Sequence, residues 1–144
     1  MCAVDIGFEF KKINDLLQKK ADQTMQELDI TFAQHHVLVY LIHCNDHTSS
    51  LKQIEKEFKV SQATMAGIVM RMEEKQVVSS YTLPSDKRIK MVTITEKGIA
   101  ICKRSREMMI NAEKKIKACY SDEEMEKFID YLDRLYKLLN KEDA

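Results

Sequence analysis

Gln62, Ala63 and Thr64, followed at helical spacing by Gly67 and Arg71, line one face of a segment with an amide, a methyl, a hydroxyl, a gap and a cation. Those groups suit the edges of base pairs. Amide and hydroxyl side chains exchange hydrogen bonds with bases, an alanine methyl meets a thymine methyl, and an arginine takes phosphate or guanine. Ser61 stands just before them as a helix N-cap. Gly67 is costly here, because a glycine inside a helix is about 1 kcal/mol worse than alanine. Its use is either packing against the protein's own chain or close approach of another surface. Further along, "PSDKRIK" (84–90) gathers Ser85, Asp86, Lys87, Arg88 and Lys90. A basic segment of that kind suits phosphates, and Arg88 suits the concentrated negative potential of a minor groove.

The elements that must position these residues follow from periodicity. Ile6, Phe10, Ile13, Leu17, Ala21 and Leu28 recur at three- and four-residue steps, which predicts an amphipathic first helix over 5–28. Thr31 with Gln34, Ser50 with Gln53, and Ser121 with Glu124 each have the capping-box pattern, opening the second, third and last helices. Ser61 opens the fourth, with Val60 and Met65 at the staple positions and Met65, Ile68, Val69 and Met72 as the inner stripe. From Val77 to Leu83 and from Lys90 to Thr95 the pattern switches to alternation, predicting two strands joined by a long basic turn. Thr95 begins a long fifth helix. Met125, Phe128, Leu132, Leu135 and Leu139 then form a heptad-like seam on the last one, which with Ile6, Phe10 and Ile13 suggests a two-fold dimer contact.

Other chemistries are poorly served. The chain has 144 residues, enough for one domain with a core of its own, and only three glycines and one proline, as a mainly helical protein should. It has no glycine-rich phosphate loop, no nucleophile elbow and no HExxH, so no enzyme reading is supported and no cofactor is called for. Its apolar runs are too short for a bilayer and the N-terminus lacks a signal-peptide pattern, which points to the cytoplasm. Net charge is zero, but residues 52–90 hold eight Lys or Arg against five acids, an excess of +3. His43, Cys44 and His47 are candidate metal ligands, the histidines being spaced i,i+4 if the helix extends that far. Structural zinc wants four ligands, however, so the expected number of metals is zero. Cys2 is the candidate redox thiol by position, although no activating neighbour accompanies it.

A short helix, a tight turn, a longer helix with a small polar outer face, and two strands with a basic tip make the order of a winged helix-turn-helix. The chain resembles the MarR family of bacterial transcriptional regulators over nearly its whole length. "DKRIKMVTITEKG" is similar to the family's wing pattern through Asp86, Arg88, Thr95 and Gly98, "LDITFAQHHVLVYL" resembles its second helix, and "SQATMAGIVMRMEEKQVV" its recognition helix. One departure is Gln76, where the family usually ends that helix with glycine.

The resemblance implies a mainly α fold with a small antiparallel β-wing. Residues 31–95 would form the DNA-binding region, and 1–30 with 96–144 the helical dimerisation region of one structural domain. It implies a homodimer on a pseudo-palindromic operator of double-stranded DNA, usually a repressor, responding to a small aromatic or otherwise lipophilic effector. Redox or metal sensing by the same fold, or a winged-helix module that docks to protein instead of DNA, are the alternatives.

Overall fold

Helix starts are written locally and form as written. In the computed structural model, which describes residues 3–142, the Thr31 hydroxyl accepts the Gln34 amide at 3.1 Å while the Gln34 side chain accepts the Thr31 amide at 3.2 Å. That box opens α2, Phe32–His43, after α1, Ile6–Glu27. Ser121 and Glu124 close the same pair of bonds, each at 3.1 Å, ahead of α6, Asp122–Glu142. At Ser50 only half the box forms. Its hydroxyl accepts the Gln53 amide and starts α3, Leu51–Phe58. Then come α4, Gln62–Glu74, and, after the sheet, α5, Glu96–Lys117, whose first turn is held by the Thr95 hydroxyl accepting the Gly98 amide at 3.2 Å.

Helix ends are less ordinary. Val77 donates to the Met72 carbonyl at 3.1 Å and Gln76 to that of Glu73 at 2.9 Å, the double bond of a Schellman ending for α4. Gln76 therefore takes a left-handed φ of 63° without being glycine. Asp29 and Lys59 do the same after α1 and α3, at φ 54° and 53°.

The sheet has three strands, not the two that alternation reveals. β2 is Val78–Leu83 and β3 Asp86–Ile94, and β1, Thr48–Ser50, pairs with the other side of β3, giving the antiparallel order β1-β3-β2. Nothing apolar marks "TSS" as a strand; pairing of Thr48 with Thr93, through hydroxyls 2.8 Å apart, defines it.

The hairpin also differs from expectation. Its turn is only Pro84 and Ser85, and Lys87, Arg88 and Lys90 lie on β3 itself. Pairing jumps from Thr82 with Lys90 to Leu83 with Asp86, so Lys87, Arg88 and Ile89 bulge from the ladder. A bulge exposes consecutive side chains where a flat strand would turn every second one inward.

The described residues divide into two compact units, one running up to Ser105 and the other starting at Arg106. In the first, Val37, Leu38 and Leu41 of α2, Ile54 of α3 and Met65, Val69 and Met72 of α4 are buried with Val77, Val78, Val92 and Ile94. That core holds α4 and the sheet. In the second, Tyr120 stacks on Phe128 at 5.6 Å between ring centroids. Among the described residues, no helix is long and apolar enough to cross a membrane.

Candidate nucleic-acid interface

The tight turn between α3 and α4 is made by left-handed Lys59 and half-buried Val60, and Ser61 then caps α4. The Ser61 hydroxyl accepts the Thr64 amide at 3.1 Å and donates to the Thr64 hydroxyl at 2.9 Å. Thr64 thus accepts one bond from Ser61 and keeps its own proton to give away. Ser61, Gln62, Ala63, Thr64 and Arg71 are exposed, and Gly67 is half-buried. A methyl built on Gly67 would meet nothing within 4 Å, so the protein's own packing does not require glycine there. Packing against the protein's own chain therefore does not explain Gly67.

On the wing, Asp86 accepts three bonds from Arg88: the backbone amide and Nε at 3.0 Å, and Nη2 at 3.1 Å. The side-chain bond from Arg88, then the backbone one, holds the Asp86 carboxyl below the usual range. Arg88 is aimed by this fork yet its side chain stays 90% exposed. The fork uses two of the five N–H donors of the guanidinium, so its outer edge can still meet an anion. Ser85 and Lys87 are exposed beside it, and Asp86 is half-buried.

Lys90 sits differently. Its ammonium lies 3.0 Å from Glu73 of α4, and Glu73 also accepts the Ser80 hydroxyl of β2. Burial pushes the Glu73 carboxyl up, but the Ser80 bond and the bond and charge of Lys90 outweigh it, so the net shift is downward. Lys75 is likewise turned inward, to the Asp29 carbonyl at 2.8 Å and the Gln34 side chain at 3.0 Å. Six of the eight cations of 52–90 are left exposed: Lys52, Lys56, Lys59, Arg71, Lys87 and Arg88. Sequence reasoning missed Glu73 and Ser80, because "EE" in a helix reads as a solvated face.

The start of α3, the start of α4 and the wing enclose a hollow of about 370 Å³. Gln62 and Arg88 both line it, with Ser50, Lys52, Glu55 and Lys90. Gln62 at the start of α4 and Arg88 of the basic wing, far apart in the chain, are therefore brought to one hollow.

The sensor candidates do not assemble in this way. α2 ends at His43, whose Nδ1 donates to the Val39 carbonyl at 2.8 Å, and His47 lies beyond a kink with φ 53°. The helical face that would pair His43 with His47 is absent. Among the described residues no three or more His, Cys, Asp or Glu side chains converge as metal ligands would. Cys2 lies outside the described residues. Cys44 is half-buried, Cys119 is exposed, and burial pushes the Cys102 thiol up to about 11. His35, one of four histidines within residues 35–47, has a partner that its sequence neighbours do not reveal. Its Nε2 lies 2.9 Å from the Ser105 hydroxyl, which also reaches the Cys102 carbonyl at 2.9 Å. Burial, and then the neighbouring His36, lower its pKa.

The dimerisation candidates are largely uncovered in the single chain. Ile6, Phe10 and Ile13 are exposed on α1, as are Phe128, Leu132 and Leu139 on α6, while Met125 and Leu135 are half-buried.

Residues 30–90 match the sequence profile of the MarR family. The chain is similar to MepR of Staphylococcus aureus in its complex with DNA, at 25% identity and a TM-score of 0.83, covering 92% of this chain and 98% of that one. A MepR mutant bound to an oligodeoxyribonucleotide matches at 25% identity and 0.79, covering 95% and 99%. MepR described as a transcription regulator of the multidrug efflux pump MepA matches at 24% and 0.81, covering 94% and 99%. The fold is a winged helix-turn-helix.

Proposed function

From a chain whose residues 30–90 match the MarR family and whose fold is that of a winged helix-turn-helix, we propose a DNA-binding transcriptional regulator that acts as a homodimeric repressor. The observation that carries this is the shared face. Exposed Gln62 at the start of α4 and Arg88 on the wing border one hollow, Thr64 is exposed two residues along the same helix, and open space lies around Gly67. An α-helix fits the major groove, and its N-terminal residues meet base edges there. Gln62 and Thr64 supply sequence preference, Ala63 meets a methyl, and Ser61, Arg71, Lys87 and Arg88 supply phosphate or minor-groove contacts. MepR, the similar protein, is seen bound to DNA.

Dimerisation rests on the uncovered apolar residues of α1 and α6. Two copies related by a two-fold axis would set their α4 helices about 34–36 Å apart, matching successive major grooves of a pseudo-palindrome. A small lipophilic effector, which the family resemblance implies, would act by shifting that separation.

The test is fluorescence anisotropy of the protein against the DNA upstream of its own gene and against scrambled DNA, over a salt series. Saturable, salt-sensitive binding with preference for the upstream DNA is expected. Arg88→Ala should weaken binding and flatten the salt slope by about 0.9, the loss of one phosphate contact. Gln62→Ala and Thr64→Ala should mainly relax sequence preference. Affinity unchanged in all three variants would remove the site assignment, and no binding at any salt would favour a protein-docking module.

A further inference from the structure

The inner face of the β2–β3 hairpin is apolar for only part of its length. Ile94 and Val92 are buried against the core, and the next residue on the same face is Lys90. Across the ladder Val78 is buried, and the next on its face is half-buried Ser80. Where the apolar face stops, Glu73 comes down from α4 and takes both polar groups at once. We propose that Glu73 sets DNA specificity, by clamping the wing to the recognition helix and by withholding the Lys90 charge from DNA phosphates. The proposal rests on the DNA-binding reading above.

Two consequences of the clamp pull in the same direction. A wing fixed to α4 delivers Arg88 only where Gln62 and Thr64 have found their bases, which is how rigid linkage turns two weak contacts into one specific one. A free Lys90 would add a phosphate contact that every sequence offers equally, raising non-specific binding without adding information. Glu73 suits this task because it holds both partners while lying 30% exposed, close enough to water that Lys90 could swing to a phosphate once released. Glu74 is exposed, and both the Ser80 and Lys90 bonds go to Glu73 instead.

The experiment uses the full chain and a duplex that the wild-type protein selects from random-sequence DNA, with a scrambled duplex as control. Glu73→Gln should bind the scrambled duplex more tightly. The affinity it loses between about 50 and about 200 mM salt should grow by a further factor of about 3.5, the effect of one extra phosphate contact. Its preference for the selected duplex should fall. Lys90→Met alone should leave the salt slope unchanged, and in the Glu73→Gln background should restore it. A lower slope for Lys90→Met alone would show that Lys90 already contacts phosphate and would overturn the inference, even if Glu73→Gln fails to fold. So would a Glu73→Gln protein that loses affinity equally for both duplexes. A wild-type protein that selects no duplex would sink the DNA-binding reading and this inference with it, whereas the other failures leave that reading standing.

Discussion

Replacing Gly67 by alanine should make the protein more stable and a poorer DNA binder. Gly67 is the sixth residue of α4, well inside the helix, and beyond its chain neighbours and the backbone of that helix no heavy atom lies within 4 Å of the methyl that alanine would add. The substitution thus gains the helix preference of alanine over glycine, about 1 kcal/mol, with no packing cost to set against it. At roughly 2 cal/mol/K of unfolding entropy per residue, a chain of this length should gain about 3 °C in Tm.

Gly98→Ala is the contrast, since the same methyl there would lie 2.3 Å from the Val77 carbonyl oxygen and 2.6 Å from Ile94 Cγ1. That carbonyl also accepts the Thr95 amide at 3.1 Å. Moving it aside strains the start of α5 and loosens that bond, so a loss of about 2 kcal/mol or more is expected. Calorimetry at one fixed protomer concentration reads both variants. On DNA, a Gly67 methyl at a close approach should cost about 1–3 kcal/mol, the usual range for overpacking. A fall in Tm for Gly67→Ala would refute the open-space argument. Unchanged DNA affinity would refute close approach.

Gln76→Gly should stabilise the chain by about 0.5–1 kcal/mol: a left-handed non-glycine residue costs about 1–2 kcal/mol, partly offset by glycine's freedom in the unfolded chain. A higher denaturation midpoint at unchanged m-value would check it. Leu132→Asp, which places a charge in the seam of α6, should convert a dimer to monomer by sedimentation while helicity by circular dichroism is kept. Iodoacetamide near pH 8 should label Cys119 well before Cys102, as peptide mass mapping would show, because the buried thiol stays protonated until about 11. Since that folded pKa is raised above about 8.5 for an unfolded cysteine, the contribution of Cys102 to stability is full below pH 8.5 and is lost as pH rises through about 11.

What the sequence determined by itself is what neighbours in the chain decide. The bonds between Thr31 and Gln34, Ser61 and Thr64, and Ser121 and Glu124 each span three residues, and helical and alternating periodicities are equally local. Gln76 could be read as a strained helix end for the same reason, and its φ of 63° agrees. The exposed face of α4 and the basic wing were legible too, as residue types at fixed spacing.

Tertiary structure alone decided the rest, because the deciding partners lie far along the chain or are empty space. β1 exists only by pairing with β3, its Thr48 opposite Thr93. The bulge that frees Lys87 and Arg88 is a register jump between strands, invisible in either strand. Lys75 and Lys90 look in sequence like the other cations of 52–90, yet one is turned to the Asp29 carbonyl and the other to Glu73. The open space around Gly67 is a fact of packing that no neighbour in the chain reveals. Local hydrogen bonds and periodicity fix which elements form; only the packing of those elements fixes which charges remain free to meet a partner.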